Sequence, residues 1–224
     1  MGMLGRTVRV RVPASSANLG PGFDTFGLAL AIYDEILVTA IDGPTRVAVE
    51  GVGAGEVPED ESNLVVRAAA RAFEAAGVPM PGLKIRAQNV IPHGGGLGSS
   101  AAAIVSGLVA AKGLLEPAVV LSADLLLAIA TEMEGHPDNV ASALLGGLTI
   151  AWTVDGAPRA KQLVVHRGVY PLVCVPDFSV STEHARSLQP DSVPYEDAVF
   201  NLSRSALLVA ALVQSPELLF EATA

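Results

Sequence analysis

Residues 92–100 read Pro-His-Gly-Gly-Gly-Leu-Gly-Ser-Ser, with four glycines in the five positions Gly94–Gly98, and a run of small residues follows at once. Backbone stripped of side chains over that length can approach another group closely or adopt positive φ, which few other residues allow. The small-residue run Ala101–Ala111 reads as a helix, so the loop ends at a helix N-terminus. Free amides there, aligned with the helix dipole, favour an anion such as a phosphate. The pattern is not a Walker A loop, because no Gly-Lys-Ser/Thr follows, and it is not a dinucleotide fingerprint, because Ser99 stands where the third glycine belongs. On these residues alone, a structural loop packed tightly on its helix is the other reading.

The elements around the loop follow from periodicity. Val8, Val10 and Val12 alternate with Arg9 and Arg11 as a half-buried strand, and Ile36–Ile41, Arg46–Glu50 and Leu83–Ala87 read as further strands. Ser62 is expected to cap a helix from about Asn63 to Ala76, and Ser122 to start another that stops near Gly135. A short helix is expected from about Asp138 to Gly146, feeding a strand Leu148–Trp152. The break Asp155-Gly156-Ala157-Pro158 is the candidate domain boundary, giving domains 1–156 and 157–224. Beyond it the sequence suggests a buried strand at Leu172–Val175, a polar segment at Ser179–Gln189 and a helix from about Tyr195 to Val213. The mixture is α+β, without a regular βαβ rhythm.

Composition excludes several classes. The formal net charge is −9, which argues against nucleic acid and anionic membranes as partners, since both need a basic face. The longest apolar stretches fall short of the roughly 20 residues that span a bilayer. Cys174 is the single cysteine, so no intramolecular disulfide forms, and a cytoplasmic location is expected. An acidic chain that holds phosphates must do so with backbone amides, a helix end and a metal.

Three segments together carry a resemblance. Pro92-x-Gly94-x-Gly96-Leu97-Gly98-Ser99-Ser100-Ala101-Ala102 resembles the phosphate loop of the GHMP kinases. Pro13-Ala14-Ser15-Ser16-Ala17-Asn18-Leu19-Gly20-Pro21-Gly22-Phe23-Asp24 and Glu134-Gly135-His136-Pro137-Asp138-Asn139-Val140-Ala141 resemble the first and third conserved blocks of the homoserine kinases within that superfamily. The resemblance implies a GHMP-kinase fold: an N-terminal domain like the second domain of ribosomal protein S5, then a ferredoxin-like C-terminal domain. It implies transfer of the γ-phosphate of ATP, with Mg2+, to the hydroxyl of L-homoserine in threonine biosynthesis, and it allows a homodimer.

The same resemblance distributes roles. Pro92, Gly94, Gly95, Gly96, Leu97, Gly98, Ser99 and Ser100 would cradle the phosphates. Magnesium takes oxygen ligands and keeps several waters; Ser100 (or Ser99) and Glu132 would supply them, with Glu134 the lesser choice. The acceptor is a zwitterion, whose ammonium wants a carboxylate and whose carboxylate wants an Arg fork; Asp24 and Arg186 resemble those two partners. Asn18 and His136 match positions lining the homoserine pocket. Asp138 and Asn139 stand where related kinases carry a catalytic aspartate, and Asp138 is either a general base or the group that orients Asn139. Asn63 resembles an adenine contact, with a helix cap as its alternative.

The resemblance also implies a longer C-terminal region with a second carboxylate-binding Arg. The chain is therefore expected to be a C-terminally truncated form with an incomplete ferredoxin-like sheet, Leu172–Val175 and Leu207–Leu219 being poorly covered. A kinase for another small alcohol, such as mevalonate or shikimate, and a non-catalytic nucleotide-binding remnant are the competing readings.

Overall fold

A computed structural model describes residues 2–175 and 188–224. Six strands among these residues form one sheet: β1 (Thr7–Ala17), β2 (Phe26–Ile41), β3 (Arg46–Gly51), β4 (Gly82–Asn89), β5 (Leu148–Val154) and β6 (Ala157–Leu163). The helices are α1 (Leu64–Ala75), α2 (Ser99–Leu115), α3 (Ala123–Glu134), α4 (Pro137–Leu145), α5 (Tyr195–Val213) and the short α6 (Leu219–Thr223). None of them is long and apolar enough to cross a membrane.

The long strand β2 organises the sheet. One of its edges pairs antiparallel with β1. The other edge is divided: Glu35–Ile41 pair with β4, while Phe26–Leu28 pair with β5. Between those two stretches the ladder lapses, and the cavity described below opens there. β3 runs parallel to β4 and reaches it through α1, and β5 continues into β6 as an antiparallel hairpin.

Alternation sets the two faces of the sheet. Val10 and Val12 of β1, with Ile36, Val38 and Ala40 of β2 and Leu83 and Ile85 of β4, point inward and pack against α1 and α2. Arg9, Arg11, Leu37 and Glu35 occupy the opposite, open face, where Arg11 lies over the Tyr33 ring at 3.7 Å. α2 crosses the inner face with Ala101, Ala102, Ile104, Val105 and Leu108 buried. Its far end is held by the Arg6 guanidinium, which donates to Leu114 O at 2.8 Å and Gly113 O at 3.1 Å.

Several expectations are corrected here. Asn63, not Ser62, caps α1: Asn63 Oδ1 accepts from Val65 N at 2.9 Å, while Ser62 bonds Asp60. The break at Asp155–Pro158 is the turn of the β5–β6 hairpin, with Asp155 at φ 51, so the expected boundary after Gly156 falls inside one sheet. β6 lacks an apolar alternation, since Ala157–Leu163 is largely polar and carries Pro158, which an edge strand tolerates. Leu172–Val175 is neither a strand nor buried; Leu172 is 91% exposed, and among the described residues no strand lies beside it to complete a ladder. α5, by contrast, is partly covered. Leu208 and Leu212 pack on Phe26 and Leu148, and Ser205 Oγ donates to Pro21 O at 2.6 Å.

Candidate active site

Residues from all three motif segments meet beside the stretch of β2 that lies between its pairings with β4 and β5. They line a cavity of about 480 Å3. One end is apolar, built from Val47, Val49, Val57, Pro58, Ile85 and Ala87. The other is polar, formed by the glycine loop with Asn18, Glu134, His136 and Asn139.

The loop connects β4 to the N-terminus of α2, which starts at Gly98 without a side-chain cap. Its first-turn amides therefore keep donors for a bound group. Gly98 is constrained in two ways. Its φ is +67°, and a Cβ there would sit 2.1 Å from Ser15 Oγ and 3.0 Å from Asn139 Oδ1. Ser15 is wholly buried; its amide donates to Leu97 O at 3.0 Å, and its hydroxyl donates to Asn139 Oδ1 at 2.8 Å. One serine of β1 thus ties the end of the loop to the start of α4.

Ser100 Oγ donates to Glu134 Oε1 at 2.6 Å. Glu132 does not come to the loop. It lies outside the cavity and pairs with Arg71 Nη2 at 2.9 Å. The reason is helical geometry: two positions along α3 turn the side chain through about 200°, so only one of the two glutamates can face α2. The expected Ser100–Glu132 pair is therefore corrected to Ser100–Glu134. Among the described residues no three His, Cys, Asp or Glu side chains cluster as a metal site. A hydroxyl and a carboxylate beside the glycine loop fit an ion that takes oxygen ligands and completes its shell with water.

Asp138 is fully buried and absent from the cavity wall. Its Oδ1 lies 2.7 Å from His136 Nδ1 and accepts from Asn139 N at 2.8 Å, while Oδ2 has no hydrogen-bond partner. Asp138 is thus kept from the cavity, while the two residues it bonds, His136 and Asn139, are on its wall. Asn139, with Oδ1 engaged by Ser15, leaves its NH2 group for the cavity.

Asn18 and Asp24 are brought together by the Gly20-Pro21-Gly22 turn. Asn18 Oδ1 accepts from Asp24 N at 2.7 Å, and the two residues have φ of 56° and 54°. Asn18 lines the cavity. Asn63 lines it as well, though both ends of its side chain are used: Oδ1 in the cap and Nδ2 donating to Pro58 O at 2.7 Å. Pro92, Gly94, Gly96, Leu97, Gly98, Ser99 and Ser100 are on the wall, whereas Gly95 is not. Arg186 lies outside the described residues.

Two residues of the site were not read from the sequence as site residues: Ser15, buried behind the wall, and Asp34, which lies on it. Ser15 stands in the quoted N-terminal motif, and its buried position on β1 sets it apart. Asp34 is a charged residue on the inward side of β2, in line with Ile36, Val38 and Ala40. A carboxylate breaking an apolar alternation was the available signal.

Residues 63–147 match the N-terminal domain of the GHMP kinases. The chain is 67% identical over 220 residues to a homoserine kinase of Clavibacter michiganensis subsp. michiganensis, covering 98% of this chain and 70% of that protein. It is 66% identical over 220 residues to a homoserine kinase of Leifsonia xyli subsp. xyli, covering 98% and 68%. The crystal structure of a homoserine kinase from Cytophaga hutchinsonii superimposes with a TM-score of 0.82 at 30% identity, over 97% of this chain and 71% of that one.

Proposed function

The chain belongs to the homoserine kinase family of the GHMP kinases, and on that basis we propose that it moves the γ-phosphate of ATP onto the hydroxyl of L-homoserine, giving O-phospho-L-homoserine and ADP. The observation that carries this reading is the single cavity that joins an apolar end, a glycine-rich phosphate cradle and a cluster of polar side chains from three separate motifs.

In this reading the base of ATP occupies the apolar end near Asn63, and its phosphates lie along residues 92–100 against the first turn of α2. Mg2+, held by Ser100 and Glu134, would neutralise charge on the phosphate oxygens. Asn139 donates its amide N–H toward the transferred group, held in that orientation by Ser15. His136, fixed by Asp138, and Asn18 face the acceptor. Asp24 takes the ammonium of homoserine, and Arg186 its carboxylate. The acceptor oxygen forms a bond to Pγ as the bond from Pγ to the bridging oxygen breaks. The hydroxyl proton leaves to a phosphate oxygen or to water. Asp138 is a positioning residue here, since a general base must come within hydrogen-bond reach of the proton it takes. Catalysis rests on placement and charge stabilisation, as phosphoryl transfer requires.

The finer fold reading follows the same relationship. We assign β1 to β6 with α1 to α4 to a nucleotide-binding domain like the second domain of ribosomal protein S5, and residues beyond Leu163 to a ferredoxin-like domain. The test is a coupled ADP-release assay with MgATP and homoserine, mevalonate, shikimate or serine. Release stimulated by homoserine above the other three supports the assignment; stimulation by mevalonate or shikimate instead contradicts it.

A further inference from the structure

The ladder between β2 and β4 ends at the pair Glu35↔Gln88. One residue further along β2, the side chain of Asp34 takes over. Its Oδ1 accepts from Val90 N at 2.7 Å and from Ile91 N at 3.0 Å. Those two amides belong to the last residues before Pro92, where the glycine loop begins. A side-chain oxygen here does what the next backbone carbonyl of a continued ladder would do. It turns β4 away from the sheet without leaving its amides unpaired. Ile91 and Leu97 are both buried, and Leu97 O accepts from Ser15 N, so the loop is pinned at both of its feet, by Asp34 at the entry and Ser15 at the exit.

Asp34 also borders the cavity, and among the described residues its second carboxylate oxygen accepts no hydrogen bond. We propose that Asp34 is a positioning residue for the phosphate loop: by holding the Val90 and Ile91 amides it fixes the stem from which the glycine backbone is presented to the nucleotide. This rests on the reading of residues 92–100 as an ATP site. Carboxylate acceptors make stronger bonds to amides than neutral oxygens do, which gives an ionised side chain an advantage as an anchor. That advantage opposes the cost of burial. Desolvation pushes the Asp34 carboxyl above its ordinary range, and the two amide bonds and the nearby His93 pull it back. The other titratable groups on the cavity wall are Glu134 and His136.

The two effects give the anchor a signature that a purely structural aspartate lacks. Asp34→Asn removes the buried charge and leaves a weaker acceptor, so stability at neutral pH should hold or rise while nucleotide affinity falls. The experiment measures affinity for the Mg2+ complex of a non-hydrolysable ATP analogue, thermal stability and amide hydrogen exchange in the wild type, D34N and, as a control, E35Q on the opposite face. The expected result is about tenfold weaker nucleotide binding in D34N, from exchanging charged for neutral acceptors. Faster exchange at Val90 and Ile91 without loss of stability should accompany it, with E35Q binding like the wild type. Binding by D34N within twofold of the wild type would overturn the role of Asp34 alone. So would weaker binding with unchanged exchange at Val90 and Ile91. A wild-type chain that binds no nucleotide would overturn the ATP reading, and this proposal with it.

Discussion

Ser15 Oγ donates to Asn139 Oδ1 at 2.8 Å, joining two residues 124 positions apart in the chain. The bond fixes which end of the Asn139 amide faces the cavity, because an oxygen committed to Ser15 leaves the NH2 group to point inward. Ser15→Ala should lower kcat about tenfold, equivalent to roughly 1.4 kcal/mol, with KM for either substrate little changed. Ser15→Thr, which keeps the hydroxyl, should recover most of it. Steady-state kinetics decide the point, and a rise in KM with unchanged kcat would speak against an orienting role.

The two glutamates at the end of α3 should behave differently. Glu134 meets Ser100 at the loop, whereas Glu132 forms an exposed pair with Arg71. Glu134→Gln is expected to cut kcat by about a hundredfold or more and to raise the Mg2+ concentration needed for half-maximal rate, as loss of one charge-stabilising group does. Glu132→Gln should retain full activity and lose at most about 1 kcal/mol of stability, the usual limit for an exposed ion pair. Titrating activity with Mg2+ in both variants separates them.

At Gly98, alanine faces two penalties. Positive φ costs an L-residue about 1–2 kcal/mol, and the new Cβ would sit 2.1 Å from the buried Ser15 hydroxyl. Gly98→Ala should therefore destabilise the chain by at least about 2 kcal/mol and weaken nucleotide binding, measured by denaturant unfolding and by titration with ATP.

Gly107 lies inside α2, where helix propensity alone would favour alanine by about 1 kcal/mol. The structure reverses the sign. A Cβ at Gly107 would meet Val65 O at 2.2 Å and Ala68 Cβ at 2.9 Å, both on α1, where neither backbone nor β-carbon can step aside. Overpacking of this kind costs about 1–3 kcal/mol, so Gly107→Ala should lower the urea midpoint.

The raised Asp34 pKa fixes a pH dependence. The native state holds the Asp34 proton above the ordinary value of 3.8, so between that pH and the raised native value the folded chain binds more protons than the unfolded one. This group's contribution to stability therefore falls as pH rises through the window. Thermal unfolding at a series of pH values should show a flatter profile for Asp34→Asn than for the wild type.

How much of this was legible in the sequence depends on the range of the interaction. Local signals held: the alternation of Val8, Val10 and Val12 gave β1, and the helix Tyr195–Val213 ran between the bounds its pattern set. The glycine loop and the helix that starts after it were legible because backbone freedom and a helix start are local properties. The failures needed the third dimension. Glu132 and Glu134 are equivalent on paper until α2 fixes which face of α3 it meets. The polar β6 is a strand only because β5 is beside it, and Leu172–Val175 is not one because, among the described residues, no strand is. Asp34 and Ser15 owe their importance to chain segments 56 and 124 residues away, which no local pattern records.

Phosphorylated homoserine in the product mixture is the direct signature of the proposed reaction. After incubation with MgATP and L-homoserine, mass spectrometry is expected to detect O-phosphohomoserine in amounts matching the ADP formed, and to detect very little with Glu134→Gln. ADP formation without phosphohomoserine, or a Glu134→Gln variant as productive as the wild type, would contradict the assignment of this cavity as a homoserine kinase active site.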